Sequence, residues 1–480
     1  MFEAPGLDWL QGSCFQKLLI HQPIKLGGLG LRSLAETSPA AFVGGVEMSL
    51  PHFSGVGGVC PLLENVVGVV EGAARWSRFI AAGSRTAQEF SQAWASLQTE
   101  GRQCAAFLGK EVGLPLSQGV EQAGDSSVDG STRRKAVQQR ESWRHEVLTK
   151  ALKEHRDREA RPVTVFQNFD KLSGAWLLAL PGSSTGLSSS VFAEAMAAHL
   201  CLGSPALRSS GWVGRPVGRK SVTIDLFGDA VMNCDDLPGD TWRHRHDTVK
   251  TALVSECIDA KLPHDCEVYG LFADLLPAAA QVDGGGLEWG RARQGLIPDF
   301  RLRLPTQEGT TDSLAELKLT SAGKTWYPRG VQGRGTDRRA NGLSTLYKNK
   351  LAGYDTRYHG TGPGQSGPLV QRLDSYGKLW GLVVGPWGDG SKDLHSLIKI
   401  LGESAVVARS RARGWEGAEG ELGLVLGQTR RRLSCTFVRA QALCLLARLG
   451  QLGRGARMAA DRGKEASRVE TDRRREAQAH

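Results

Sequence analysis

Two carboxylates and one ammonium are spaced for chemistry in this sequence. Asp299 follows Pro298, and Glu316 and Lys318 flank Leu317, with the two acids 17 positions apart. Both acids fall on runs that read as neighbouring strands. Side chains two apart on a strand share a face, so Glu316 and Lys318 point the same way. A hairpin joining the two strands brings Asp299 to the same end of the sheet. Mg2+, or Mn2+ in its place, takes oxygen ligands and keeps several waters, so Asp299, Glu316 and the Leu317 carbonyl would suffice to hold it. Lys318 is then placed to hold or help deprotonate an attacking water, while the metal lowers that water's pKa and neutralises a phosphate leaving group. The plainer alternative is a hairpin that carries a surface Glu–Lys pair.

The elements that must position these residues are legible around them. A helix is expected from Thr241 through TWRHRHDTVKTALVSECIDAK, then a strand at CEVYGLF. Two more strands, LIPDFRLRLP and SLAELKLTS, flank the polar turn PTQEGTTD. A helix follows over 337–354, then a strand at KLWGLVVGPWG and a helix over 392–409. The order helix, strand, strand, strand, helix, strand, helix describes an α/β unit with a mixed sheet flanked by helices.

Five segments are expected. Residues 1–111 read as packed helices and turns, with GGLGLRS a structural glycine turn. SPAAFVGGVEMSL and SRTAQEFSQAWASLQTEGRQCAAFLG show the helical period. Residues 112–165 read as a linker followed by a solvated, charged helix bridging two domains. Residues 166–220 form a helical connector, with a serine cap ahead of VFAEAMAAHLCL. Residues 221–410 hold the α/β unit. Residues 411–480 read as two helices, the second a basic exposed tail.

The formal net charge of +10 and pI of about 9.2 favour a polyanionic partner, nucleic acid first. Nine cysteines, scattered singly with no CxxC pair, argue against a disulfide framework and for a reducing compartment. No uninterrupted apolar run has the length to span a bilayer, and the first residues lack a signal-peptide pattern, so an intracellular location and no membrane partner are expected. Cys257, Cys266, Cys435 and Cys444 read as core cysteines, and Trp380 and Trp387 as packing. Trp326, Tyr327 and Arg329 read as the closure of a core edge.

Pro-Asp followed by Glu-x-Lys on this order of elements resembles the PD-(D/E)XK nuclease superfamily. The resemblance implies an acidic residue on the first strand near the metal, for which Glu267 is the candidate. It also implies basic residues on the second helix facing the phosphate: Arg338, Arg339, Lys348 and Lys350. A wider resemblance runs from about residue 20 to 410. IKLGGLGLRSLAETSPAAF is similar to the segment after the polymerase core in non-LTR retrotransposon reverse transcriptases. FGDAVMNC, WRHRHDTVK, EVYGLF and PDF are similar to their restriction-like endonuclease region. The paired cysteines of that family are missing, only Cys234 remains, and Asp229 stands where a histidine is expected. No zinc site is therefore expected. The polymerase's Tyr-x-Asp-Asp is absent, so the chain looks like the downstream part of a longer polyprotein or a degenerate descendant.

Arg243, His244, Arg245 and His246 crowd the start of the helix at Thr241, and with the resemblance they read as phosphate contacts. The implied activity is Mg2+-dependent cleavage of DNA in the nucleus, with element RNA a second nucleic-acid partner. The alternatives are an inactive nucleic-acid-binding remnant and an interaction protein with a fortuitous motif. The sequence leaves oligomeric state open.

Overall fold

Strand alternation divides this protein's sheet into two unlike faces, and that division sets the site. The computed structural model describes residues 20, 22, 29, 85–110, 131–154, 161–237, 240–268, 270–276, 298–306, 309–323, 334–362, 364–413 and 419–479. The expected glycine turn at 27–33 lies outside these except for residue 29, as does the segment 324–333 with Trp326, Tyr327 and Arg329. SPAAFVGGVEMSL also lies outside them. The chain divides into two units, Met1–Val163 and Thr164–His480.

In the first unit, α1 (Arg85–Leu108) pairs with α2 (Ser131–Glu154). Glu100 accepts from Arg140 Nε at 2.7 Å and from Arg144 Nε at 2.6 Å. Trp143, Val147 and Leu148 are buried. The stretch expected to be a solvated bridge is thus a packed helix. Its apolar residues are few, but those at 143, 147 and 148 fall on one face.

Helix α3 (Arg161–Asn168) leads into the second unit, followed by a 3-10 turn at Ala175–Leu178, α4 (Ser189–His199) and α5 (Pro205–Ser210). A short hairpin, β1 (Pro216–Val217) with β2 (Val222–Thr223), precedes α6 (Asp229–Asn233) and α7 (Thr241–Asp259). Then come β3 (His264–Cys266), β4 (Phe300–Thr306), β5 (Gly309–Leu319), α8 (Gly335–His359), α9 (Pro368–Ser375), β6 (Trp380–Val384), α10 (Lys392–Arg413) and α11 (Glu419–Ala479). The four-stranded sheet runs β3-β4-β5-β6, antiparallel except for the parallel β5–β6 pair. This is the expected mixed α/β unit, with α9 added.

On one face, Phe300, Leu302, Leu304, Ala315, Leu317, Leu382 and Val384 share a core with α7, α10 and α11. On the other, Leu314 packs with Tyr347 and Leu351 of α8 and with α9, and Val383 packs with Ala340 and Leu343. Gly381 lets α8 approach β6: a Cβ there would lie 2.7 Å from Ala340 Cα and 2.9 Å from its carbonyl oxygen. Gly381→Ala should therefore cost about 1–3 kcal/mol through overpacking, read by chemical denaturation. An unchanged midpoint would mean that α8 yields freely.

Three expectations change. CEVYGLF is not a strand: pairing ends at Cys266, Glu267 adopts φ +49°, and Leu271 and Phe272 leave the sheet to bury beneath α8 and α9. Cys266 is consequently exposed, whereas Cys257, Cys435 and Cys444 are buried as expected. The two terminal helices are one helix, α11, because its run of Ala, Leu, Arg and Glu outweighs glycines that each cost about 1 kcal/mol. Its Glu421–Gly453 portion is long and apolar enough by composition to cross a membrane, yet 61% of its most apolar stretch is buried inside the protein. Leu433, Phe437 and Ala440 complete the sheet's core. The segments 166–220, 221–410 and the start of 411–480 therefore share one unit.

Candidate functional site

Asp299 sits one residue before β4, where its Oδ2 accepts the Leu317 N–H at 2.8 Å. Phe300 pairs with Ala315, so Asp299 lies at the register position of Glu316 at the sheet's end. Glu316 and Lys318 share the α8 face, and Lys318 Nζ lies 2.7 Å from Glu316 Oε1. Glu316 is 8% exposed, and its other oxygen, Oε2, is buried with no hydrogen-bond partner among the described residues. Burial pushes this carboxyl above the usual range. Lys318 pulls it down, and the Asp299 charge pushes it up again. The three residues picked out by type and spacing thus converge.

Helix α8 closes the site from above the sheet. Tyr347 is 7% exposed, and its hydroxyl also lacks a partner among the described residues. Burial drives the phenol upward, and the charges of Glu316 and Asp299 add to the effect. Arg339 and Lys350 are half-buried within the electrostatic reach of Glu316. Burial lowers both, while Glu316 favours their charged forms. Lys348 instead pairs with Asp374 at 2.9 Å, and Arg338 is half-buried.

Helix α7 closes the other side. His246 Nε2 lies 3.5 Å from Asp299 Oδ2, and its Nδ1 lies 3.2 Å from Asp247 Oδ1. Burial disfavours the imidazolium, but Asp299 and Asp247 outweigh burial and raise its pKa. One turn on, Lys250 pairs with Glu267, whose N–H donates to the Asp299 carbonyl at 3.0 Å. Glu267 therefore touches Asp299 through its backbone while its carboxylate holds Lys250. Type and spacing did not single out Lys250 or Tyr347. The signals were the i,i+4 step from His246 and the i,i+8 step from Arg339, which place each on the helix face already in use.

Of the basic cluster, Arg243 and His244 are exposed, with Arg243 3.8 Å from Asp247. Arg245 is corrected from phosphate contact to buried strut. It is 2% exposed and bonds Gln441 Oε1 at 2.8 Å and the Leu319 carbonyl at 3.3 Å. It also stacks on Trp242 at 4.4 Å, and burial lowers its pKa to about 10. Helix periodicity explains this: Arg245, Val249 and Leu253 fall at four-residue steps on the buried side of α7.

Among the described residues no three His, Cys, Asp or Glu side chains form a metal-binding group. The donors on offer are the two carboxylates and main-chain oxygen. A residue's N–H and C=O point to the same strand edge, so the Leu317 carbonyl leaves β5 on the side where Asp299 receives its N–H. A buried carboxylate oxygen without a donor is costly unless water or a cation meets it, and this oxygen-only set suits a hard divalent ion. The chain matches no protein-family model and no curated protein.

Proposed function

We propose that the chain is a metal-dependent DNA endonuclease of the PD-(D/E)XK kind, descended from a non-LTR retrotransposon polyprotein and acting in the nucleus. The observation that carries this reading is Glu316, a buried strand carboxylate with one oxygen on Lys318, the other unpartnered among the described residues, and Asp299 beside it. Asp299, Glu316 and the Leu317 carbonyl would hold Mg2+ or Mn2+. Bound there, such an ion neutralises charge at the phosphate and acidifies a coordinated water. Lys318 orients the attacking water and balances charge building on the phosphate. Arg339 and Lys350 grip phosphate oxygens from α8. Tyr347 narrows the site and excludes bulk water.

The test is plasmid nicking by the full chain with Mg2+, beside Glu316→Gln. The wild type should nick, and the variant should lose on the order of 10²–10³ in rate. Undiminished nicking by Glu316→Gln would overturn the site. DNA binding without nicking by the wild type would leave the inactive remnant as the correct reading.

A further inference from the structure

The second unit carries a cationic surface outside the carboxylate site. From 207 through 223 the chain has no Asp or Glu, yet it holds Arg208, Arg215, Arg219 and Lys220. All four are exposed, Arg219 with 92% of its side chain in solvent. The last three belong to the β1–β2 hairpin and its approach.

This hairpin is held in place from below. The Ser221 N–H closes the turn on the Gly218 carbonyl at 3.0 Å, and the Arg219 N–H donates to Asp236 Oδ2 at 2.7 Å. Gly218 has φ +71°, and a Cβ there would meet Cys234 Sγ at 2.7 Å and Asp236 Oδ2 at 2.9 Å. Val217 and Ile224 anchor the strands in a core with Leu445 and Leu449 of α11. Arg215 lies over the Trp212 ring at 5.1 Å. Asp236 Oδ1 lies 3.9 Å from Arg219 Nε, a long and solvent-exposed pair, while Asp225 accepts from Phe227, Asp229 and Ala230 N–H groups and Asp235 acts on Arg448. The turn thus presents adjacent exposed cations on a braced backbone, and the one pair among them, Arg219 with Asp236, is long and screened by solvent.

We propose that this hairpin is a nucleic-acid backbone contact separate from the cleavage site, with Arg215, Arg219 and Lys220 each meeting a phosphate. A braced loop loses little conformational freedom on binding, and exposed guanidinium and ammonium groups recognise phosphates whatever the base sequence. The contact does not require the site to cut.

The experiment measures affinity of the full chain for a duplex and for a single strand of equal length, in EDTA, across a salt series. Each phosphate contact contributes a log–log slope of about −0.9 on duplex and −0.7 on single strands. Arg215→Gln/Arg219→Gln/Lys220→Gln should flatten the duplex slope by about 2–3 and weaken binding on the order of tenfold near 0.1 M salt. Lys220→Gln alone, at an exposed position, should flatten it by about 0.9, which keeps the test valid if the triple variant folds poorly. Unchanged slopes in both variants overturn the proposal. So does loss of binding to phosphatidylserine vesicles with nucleic-acid binding intact, which would assign the hairpin to a membrane surface. Because the assay contains no metal, nicking failure and failure of this contact are read separately.

Discussion

Lys318→Ala should lower single-turnover cleavage by on the order of 10²–10⁴ while leaving DNA affinity nearly intact. The ammonium lies on Glu316 Oε1 at 2.7 Å with its side chain 37% exposed, so it reaches both the buried carboxylate and incoming solvent. Its removal leaves Glu316 buried with neither oxygen paired by a cation, so the carboxyl, already raised, rises further. As one cation among many, it adds at most one phosphate contact to binding. Lys318→Arg should rescue poorly, because a planar guanidinium hardly loses its proton and does not fit where a compact ammonium sits. Asp299→Asn should behave differently. Its side-chain oxygen can still accept the Leu317 N–H, so the strand end holds, and the loss is charge toward the metal and His246. Excess Mg2+ should then restore part of the rate. The measurement is single-turnover cleavage by each variant across a Mg2+ titration. Wild-type rates from Lys318→Ala would make the lysine half of a surface ion pair and remove its catalytic role.

Local rules with a fixed period made part of this site readable. The same-face placement of Glu316 and Lys318 follows from the pleat, and the hairpin between Phe300 and Leu319 follows from two alternating runs around a polar turn. What depended on distant partners was not readable. The charged sequence around Arg245 looks solvated, yet Arg245 is drawn inward by Leu319 and Gln441, the latter 196 positions away. The apolar CEVYGLF suits a strand by composition, but Leu271 and Phe272 find a better core beneath α8 and α9, and the chain turns at Glu267 to reach it. Tyr347 carries no motif of its own, and its place beside Glu316 follows from the close approach of α8 at Gly381.

That placement of α8 rests on a buried carboxylate far from the motif, and Asp170→Asn should destabilise the second unit by about 3–5 kcal/mol. Asp170 lies between α3 and the turn at Ala175–Leu178, with its side chain 8% exposed. Its Oδ1 accepts the Leu172 and Ser173 N–H groups, each at 2.8 Å. Its Oδ2 accepts Gly390 N–H at 2.9 Å, His395 Nε2 at 2.7 Å and the Arg334 guanidinium. Three pieces meet there: the loop after α3, the residue just before α8, and the β6–α10 connection with the first turn of α10. Burial alone would raise the Asp170 pKa, but His395, Arg334 and the Gly390 N–H outweigh it and hold the carboxyl below its ordinary range. An acid with a depressed folded-state pKa stabilises fully above its unfolded value, about 3.9, and loses that contribution as pH falls through the folded value. In Asp170→Asn, an amide NH2 would face donors and Arg334 would lose its counter-charge. Asparagine does not titrate, so the variant's acid-unfolding curve should be flatter below about pH 4. Urea unfolding at pH 7 and at pH 3 reads both effects. A midpoint shift at pH 7 equivalent to under about 1 kcal/mol would show that α8 is held by the apolar packing of its Leu343, Tyr347 and Leu351 on the sheet alone.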